Sequence, residues 1–152
     1  MDVLDTQAKQ LSRPLEDAYA KVPALPANIR ELIVTIAPWL SLIFGVLMVL
    51  TGIGGLGLFT ALSPFTALYG GVGYSVFLMI SSVVIIVQGV LMLLAFSPLK
   101  KRALRGWNLL FWSEVLAVVS SVVSLRVGSV VWAIVGAAIA LYFLFQMKSY
   151  YK

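Results

Sequence analysis

The residue whose type and position could do chemistry is Glu114, in the stretch "GWNLLFWSEVLAVVSSVVS" at positions 106–124. It lies nine residues past Arg105, roughly 13 Å along a helix that rises about 1.5 Å per residue. That depth is well inside a hydrocarbon layer of about 30 Å. A charged side chain near the centre of such a layer costs at least about 2.5–3.5 kcal/mol, so a carboxylate there must be protonated, paired or beside a wet cavity. Two chemistries fit. One is hydrogen bonding between helices, worth about 0.6 kcal/mol and seldom more than about 2. The other is a proton or cation site of a transporter.

Gln88 is the expected partner. Folding the flanking spans about the basic hinge "SPLKKRALRG" puts Gln88 level with Glu114, because Gln88 lies nine residues before Ser97 and Glu114 nine past Arg105. Its amide can both donate and accept. No basic residue shares that depth, and Arg126 lies about 18 Å further along the same helix. A hydrogen-bonded pair is therefore expected in place of an ion pair.

Other site chemistries lack their residues. The chain has no cysteine and no histidine, which removes thiolate nucleophiles, thiolate metal ligands and the commonest general base. Ser113, Ser120 and Ser121 have no nearby base to activate them. The acidic residues are scattered, whereas a two-metal site needs them clustered. "GIGGLG" at Gly52–Gly57 lacks the lysine and the strand-to-helix setting of a phosphate loop. We expect no catalytic residue, no metal site, no cofactor and no enzymatic activity.

The elements that position Glu114 follow from composition. The 152 residues are 61% hydrophobic and 11% charged, against about 45–50% and about 25% in a soluble globular protein. Too few polar side chains remain to cover a water-facing surface, so an integral membrane protein is expected. The formal charge of +5 sits at the ends of apolar stretches. That placement marks topology and contact with anionic lipid head groups, not nucleic acid.

Residues 1–27 are expected to form an amphipathic arm followed by a proline-rich linker. Leu4, Ala8, Leu11, Leu15, Ala18 and Val22 make one helical stripe, with Pro14 expected to kink it or to start a second short helix. The first twenty residues carry both signs of charge without a continuous apolar run, which argues against a cleaved signal peptide. Residues 28–152 are expected to hold the membrane domain. No charge falls between Glu31 and Lys100, a stretch long enough for two spans. The glycines at 52–57 and "SPFTALYGGVG" at 63–73 suggest the division. Four spans result, near 32–59, 72–97, 106–125 and 129–147. The expected fold is an all-α membrane protein, a four-helix up-and-down bundle with an N-terminal amphipathic helical arm.

Positive charge sets the orientation. Lys9, Arg13, Lys21, Arg30, the hinge residues Lys100, Lys101, Arg102 and Arg105, and Lys148 and Lys152 share one face, opposite Arg126. The positive-inside rule makes the crowded face, with both termini, cytoplasmic. Aromatic belts agree, with Trp39, Trp107, Tyr150 and Tyr151 on the inner side and Tyr69, Tyr74 and Trp132 on the outer. Small residues should mark helix contacts in lipid. Ala117, Ser121 and Ser124 share the face of Glu114, and Ala133, Gly136 and Ala140 form a stripe expected to face them. Gly45 and Gly52, one heptad apart, are expected to pack the first span.

"GWNLLFWSEV" together with "FLFQMKSYYK" resembles an uncharacterised group of small four-span bacterial inner-membrane proteins. The resemblance implies a multi-pass place in the bacterial inner membrane and assigns no activity. The expected function is that of a non-enzymatic scaffold or accessory subunit working through helix contacts, within a homo-oligomer or a larger membrane complex. The alternative is an oligomeric small transporter or channel that uses Glu114.

Overall fold

The computed structural model describes residues 2–69, 71–123 and 127–152. Among them are five helices, one 3-10 turn and no strand. The helices are α1 (Asp2–Tyr19), α2 (Ala27–Tyr69), α3 (Gly71–Lys100), α4 (Leu104–Val123) and α5 (Val127–Met147), and the turn is Lys148–Tyr150. Two helices are long and apolar enough to cross a membrane by length and composition, over Ala27–Phe65 and Val76–Lys100. Ser124 and Arg126 lie outside the described residues, as do the side chains of Tyr69, Tyr74 and Ala133.

α2 does not break at its glycines. It runs 43 residues, about 64 Å, straight through Gly52–Gly57 and Pro64 to Tyr69. Packing explains the first feature. A Cβ built on Gly52 would fall 2.4 Å from Ile86 Cγ1 and 2.9 Å from the Ser82 carbonyl oxygen, so α3 closes directly onto the α2 backbone. A hydroxyl explains the second. Pro64 supplies no N–H to the Thr60 carbonyl four residues back, and Ser63 Oγ donates to that oxygen at 3.0 Å.

α2 and α3 therefore form the tightest antiparallel pair. Gly45 and Gly89 face one another: a Cβ on Gly45 would lie 3.0 Å from the Gly89 oxygen, and one on Gly89 would lie 2.8 Å from the Gly45 oxygen. α3 then packs on α4, and α4 on α5.

The α3–α4 elbow is compact. α3 ends in a Schellman motif, with Ala103 N–H donating to the Pro98 oxygen at 2.9 Å and Arg102 N–H to the Leu99 oxygen at 3.0 Å. Arg102 takes the left-handed position of that motif, at φ 53°. Gly106 follows, and a Cβ there would meet the Leu99 backbone nitrogen at 2.7 Å. Only glycine lets the two helix ends approach so closely.

α1 continues through Pro14 as a single helix and packs on α4 and α5. Its buried line is Ala8 and Ser12, both fully covered, followed by Leu15, whereas Leu11 is half exposed. The apolar stripe read from the sequence is thus rotated, because the surface it meets carries the polar Lys148 as well as apolar groups.

Candidate functional site

The best-built region is the end of the molecule where the basic residues gather. Its core is Trp107, which is 1% exposed. The indole stacks on Phe111 at 5.4 Å, touches Phe145 at 5.6 Å, and donates from Nε1 to the Leu144 carbonyl at 2.7 Å. Leu144 lies in the last turn of α5, so the indole bond ties the start of α4 to the end of α5. Lys148 Nζ sits 4.5 Å from the Trp107 ring centre. The same ammonium pairs with Glu16 and donates to Ser12 Oγ at 3.3 Å, tying α1 to the end of α5. Higher on α5, Tyr19 Oη donates to the Ala138 oxygen at 2.9 Å and Tyr142 Oη to the Pro23 oxygen at 2.8 Å.

The four hinge cations have different employments. Arg102 pairs with Glu31 of α2. Both side chains are about half exposed, so the pair is worth about 1 kcal/mol or less. Lys100 Nζ lies 5.5 Å from the ring centres of Trp39 and Phe96. Lys101 and Arg105 are exposed and make no ion pair among the described residues. Lys152 fastens the hinge through its backbone, donating to the Arg102 oxygen at 2.9 Å and accepting from Leu104 N–H at 3.0 Å.

Tyr151 is buried beside this clasp, and its hydroxyl has no hydrogen-bond partner. Burial pushes its phenol up to about 12, while the Arg102 guanidinium pulls the other way. The fold thus favours the neutral phenol. That preference is fully present below pH 10, the ordinary value, and is lost as pH rises through about 12. Tyr151→Phe removes a buried unsatisfied group of a kind that costs about 1–3 kcal/mol. The variant should be at least as stable as the parent at neutral pH. In detergent, thermal unfolding between pH 10 and 12 should fall less steeply for the variant, and equal slopes would contradict this account.

The structure does not join Gln88 to Glu114. Gln88 is buried at 5% exposure and Glu114 is half-buried, but no hydrogen bond links them among the described residues. The elbow explains the miss. Its close contact pairs Leu99 with Gly106, centred between Arg102 and Ala103, whereas a level Gln88–Glu114 pair needs one centred on Lys101. The hinge is tighter than the symmetric loop the sequence suggested, and the register shifts by three residues.

The stripe on α5 also needs correction. A Cβ on Gly136 would meet nothing within 4 Å. Among the described side chains of α5, Ala137, Leu144 and Met147 are buried and Ala140 is half-buried. The Trp107–Leu144 bond sets the rotation of α5 about its axis, and Gly136 turns outward. Ala117 and Ser121 on α4 are half-buried, and Ser121 Oγ donates back to the Val118 oxygen at 2.7 Å. Gly45 and Gly52 lie against α3, as described above.

Sequence reasoning missed Glu16, Arg30, Gln146 and Lys148 as a group. A usable signal existed: Ala8, Ser12 and Glu16 recur every fourth residue on one face of α1. No family model, curated protein or solved structure matches the chain, which leaves the geometry as the ground for its function.

Proposed function

We propose that this chain is a multi-pass protein of the bacterial inner membrane, with four spans and both ends in the cytoplasm. It acts as a non-enzymatic scaffold or accessory subunit through helix contacts. The clustering of basic residues at one end supports the orientation. α4 and α5, at 20 and 21 residues, are each about 30 Å long and match the hydrocarbon layer. α2 and α3 are longer and would tilt to fit.

The observation that carries the scaffold reading is where the hydroxyls inside the spans donate. Ser41 donates to the Pro38 oxygen at 3.0 Å, Ser82 to the Leu78 oxygen at 3.0 Å, and Ser120 to the Ala117 oxygen at 2.9 Å. Each of these bonds closes on its own helix, as expected of hydroxyls packed where helices meet in lipid. A second reading rests on Glu114, half-buried on α4 with no ion pair among the described residues. It makes that carboxyl a proton or cation site between protomers.

Glu114→Gln separates the two. The substitution keeps the shape and removes the ionisable group. A scaffold predicts no proton-coupled flux from the parent in liposomes, and a variant that assembles as the parent does, within about 1 kcal/mol of its stability in detergent. Flux from the parent that vanishes in a folded Glu114→Gln variant would establish transport and remove the scaffold reading.

A further inference from the structure

A cavity of about 460 Å³ opens between the end of α1, residues 20–26, the first turn of α2 and the end of α5. Its polar lining includes Glu16, Tyr19, Arg30, Gln146 and Lys148, with Phe145 among the apolar groups. Glu16 and Lys148 are already committed to each other. Arg30 is not. Its guanidinium rests over the Tyr150 ring at 5.9 Å, and its Nε is buried with no hydrogen-bond partner. Gln146 spends its carbonyl oxygen on the Leu25 N–H at 3.4 Å, which leaves its amide N–H groups as donors.

The cavity therefore holds more donors than acceptors. It contains two cations against one carboxylate that is already paired, and an arginine fork held by an aromatic face. The two terminal nitrogens of the Arg30 guanidinium make no hydrogen bond or ion pair among the described residues and match two oxygens of a phosphoryl group. The sealed Nε does not reach the cavity. Val22 and Ala24 of the linker, together with Phe145, complete an apolar flank. That combination suits a group that is charged at one end and greasy at the other. The position differs from that of the exposed hinge residues Lys101 and Arg105, which do not line this cavity.

We infer that this cavity is a phosphoryl-group site anchored by Arg30 and assisted by the Gln146 amide, and that a phospholipid head group occupies it. The phosphoryl chemistry stands on the cavity alone. Only the choice of lipid as its source rests on the membrane placement proposed above, where the cavity lies level with the inner head groups.

The test uses the full chain in a neutral detergent, titrated separately with monomeric dihexanoyl phosphatidylglycerol and with inorganic phosphate. Tryptophan fluorescence is the readout, in a background with Trp39, Trp112 and Trp132 replaced by Phe so that Trp107 alone reports, because Lys148 touches both its indole and the cavity. The short-chain lipid should bind the parent at least about tenfold more tightly than Arg30→Gln, the loss expected for charge-assisted hydrogen bonds. Lys101→Gln, which removes an exposed hinge charge, should bind as the parent does. If Arg30→Gln proves unfolded by circular dichroism, Arg30→Lys supplies the comparison, since it keeps the charge and loses the fork. Its binding should also be weaker than the parent's. Equal affinity for inorganic phosphate and the lipid would keep the phosphoryl site and overturn the lipid occupant. Equal lipid binding by the parent and a folded Arg30 variant, or an equal loss in Lys101→Gln, would overturn the site itself. Because the lipid is monomeric, none of these outcomes depends on how many helices cross a bilayer.

Discussion

Trp107→Ala should cost about 3–5 kcal/mol, the range for truncating a buried large aromatic side chain. It is the largest loss we expect from any single substitution. Trp107 is buried on all sides, by Phe111 and Phe145 through its ring and by Lys148 above it. Truncation opens a cavity and leaves the Leu144 carbonyl without its indole donor. It also removes the surface over which Lys148 reaches Glu16 and Ser12, so α1 should loosen along with the local core. Two measurements check this account. Thermal unfolding in detergent, followed by far-UV circular dichroism, gives the overall loss. Proteolysis within residues 20–26 reports release of α1. Trp107→Phe keeps an aromatic ring but loses the hydrogen bond and part of the indole volume, and it should fall between Trp107→Ala and the parent. A Trp107→Ala protein that unfolds like the parent would show that the aromatic cluster does not hold this end together.

Gly89→Leu is expected to follow, at about 1–3 kcal/mol or more, as for side chains forced into a packed interface. A Cβ at this position would lie 2.8 Å from the Gly45 oxygen and 2.9 Å from the Val49 nitrogen. Both are backbone atoms, so no side-chain rotation relieves the overlap and α2 must move away from α3. Such close approach matters in lipid, where helices gain little from excluding apolar surface and depend on dense packing. Gly54→Ala is the natural control, because a Cβ there meets nothing within 4 Å. Replacing a helical glycine by alanine in open space should be neutral or favourable by up to about 1 kcal/mol. If Gly89→Leu and Gly54→Ala behaved alike in detergent unfolding, the α2–α3 contact would not be tight.

The same pair of glycines shows how far the sequence reaches. Gly45 and Gly52, one heptad apart, were legible as residues for a helix contact, though not which helix they would meet. Gly89 escaped notice because a lone glycine in an apolar run has no spacing to mark it. The glycine-rich stretch at Gly52–Gly57 looked like a break, yet α2 passes through it. Local propensity favours a break there. The contact of Gly52 with Ser82 and Ile86 outweighs that preference.

Composition and the order of apolar and basic segments were enough, on their own, to specify a helical chain with its cations gathered at one end. Those properties are sums over residues and need no knowledge of contacts. Register and rotation belonged to the tertiary structure. The Schellman turn at Arg102 and the approach of Gly106 to Leu99 set a hinge register other than the one that would level Gln88 with Glu114. The hydrogen bond from Trp107 to Leu144 turned Gly136 outward. The packing of α1 on α4 and α5 enclosed the cavity around Arg30. A helix advances about 1.5 Å and 100° per residue. One tight turn or one indole bond therefore decides which side chains meet, at a scale that hydrophobic patterning does not encode.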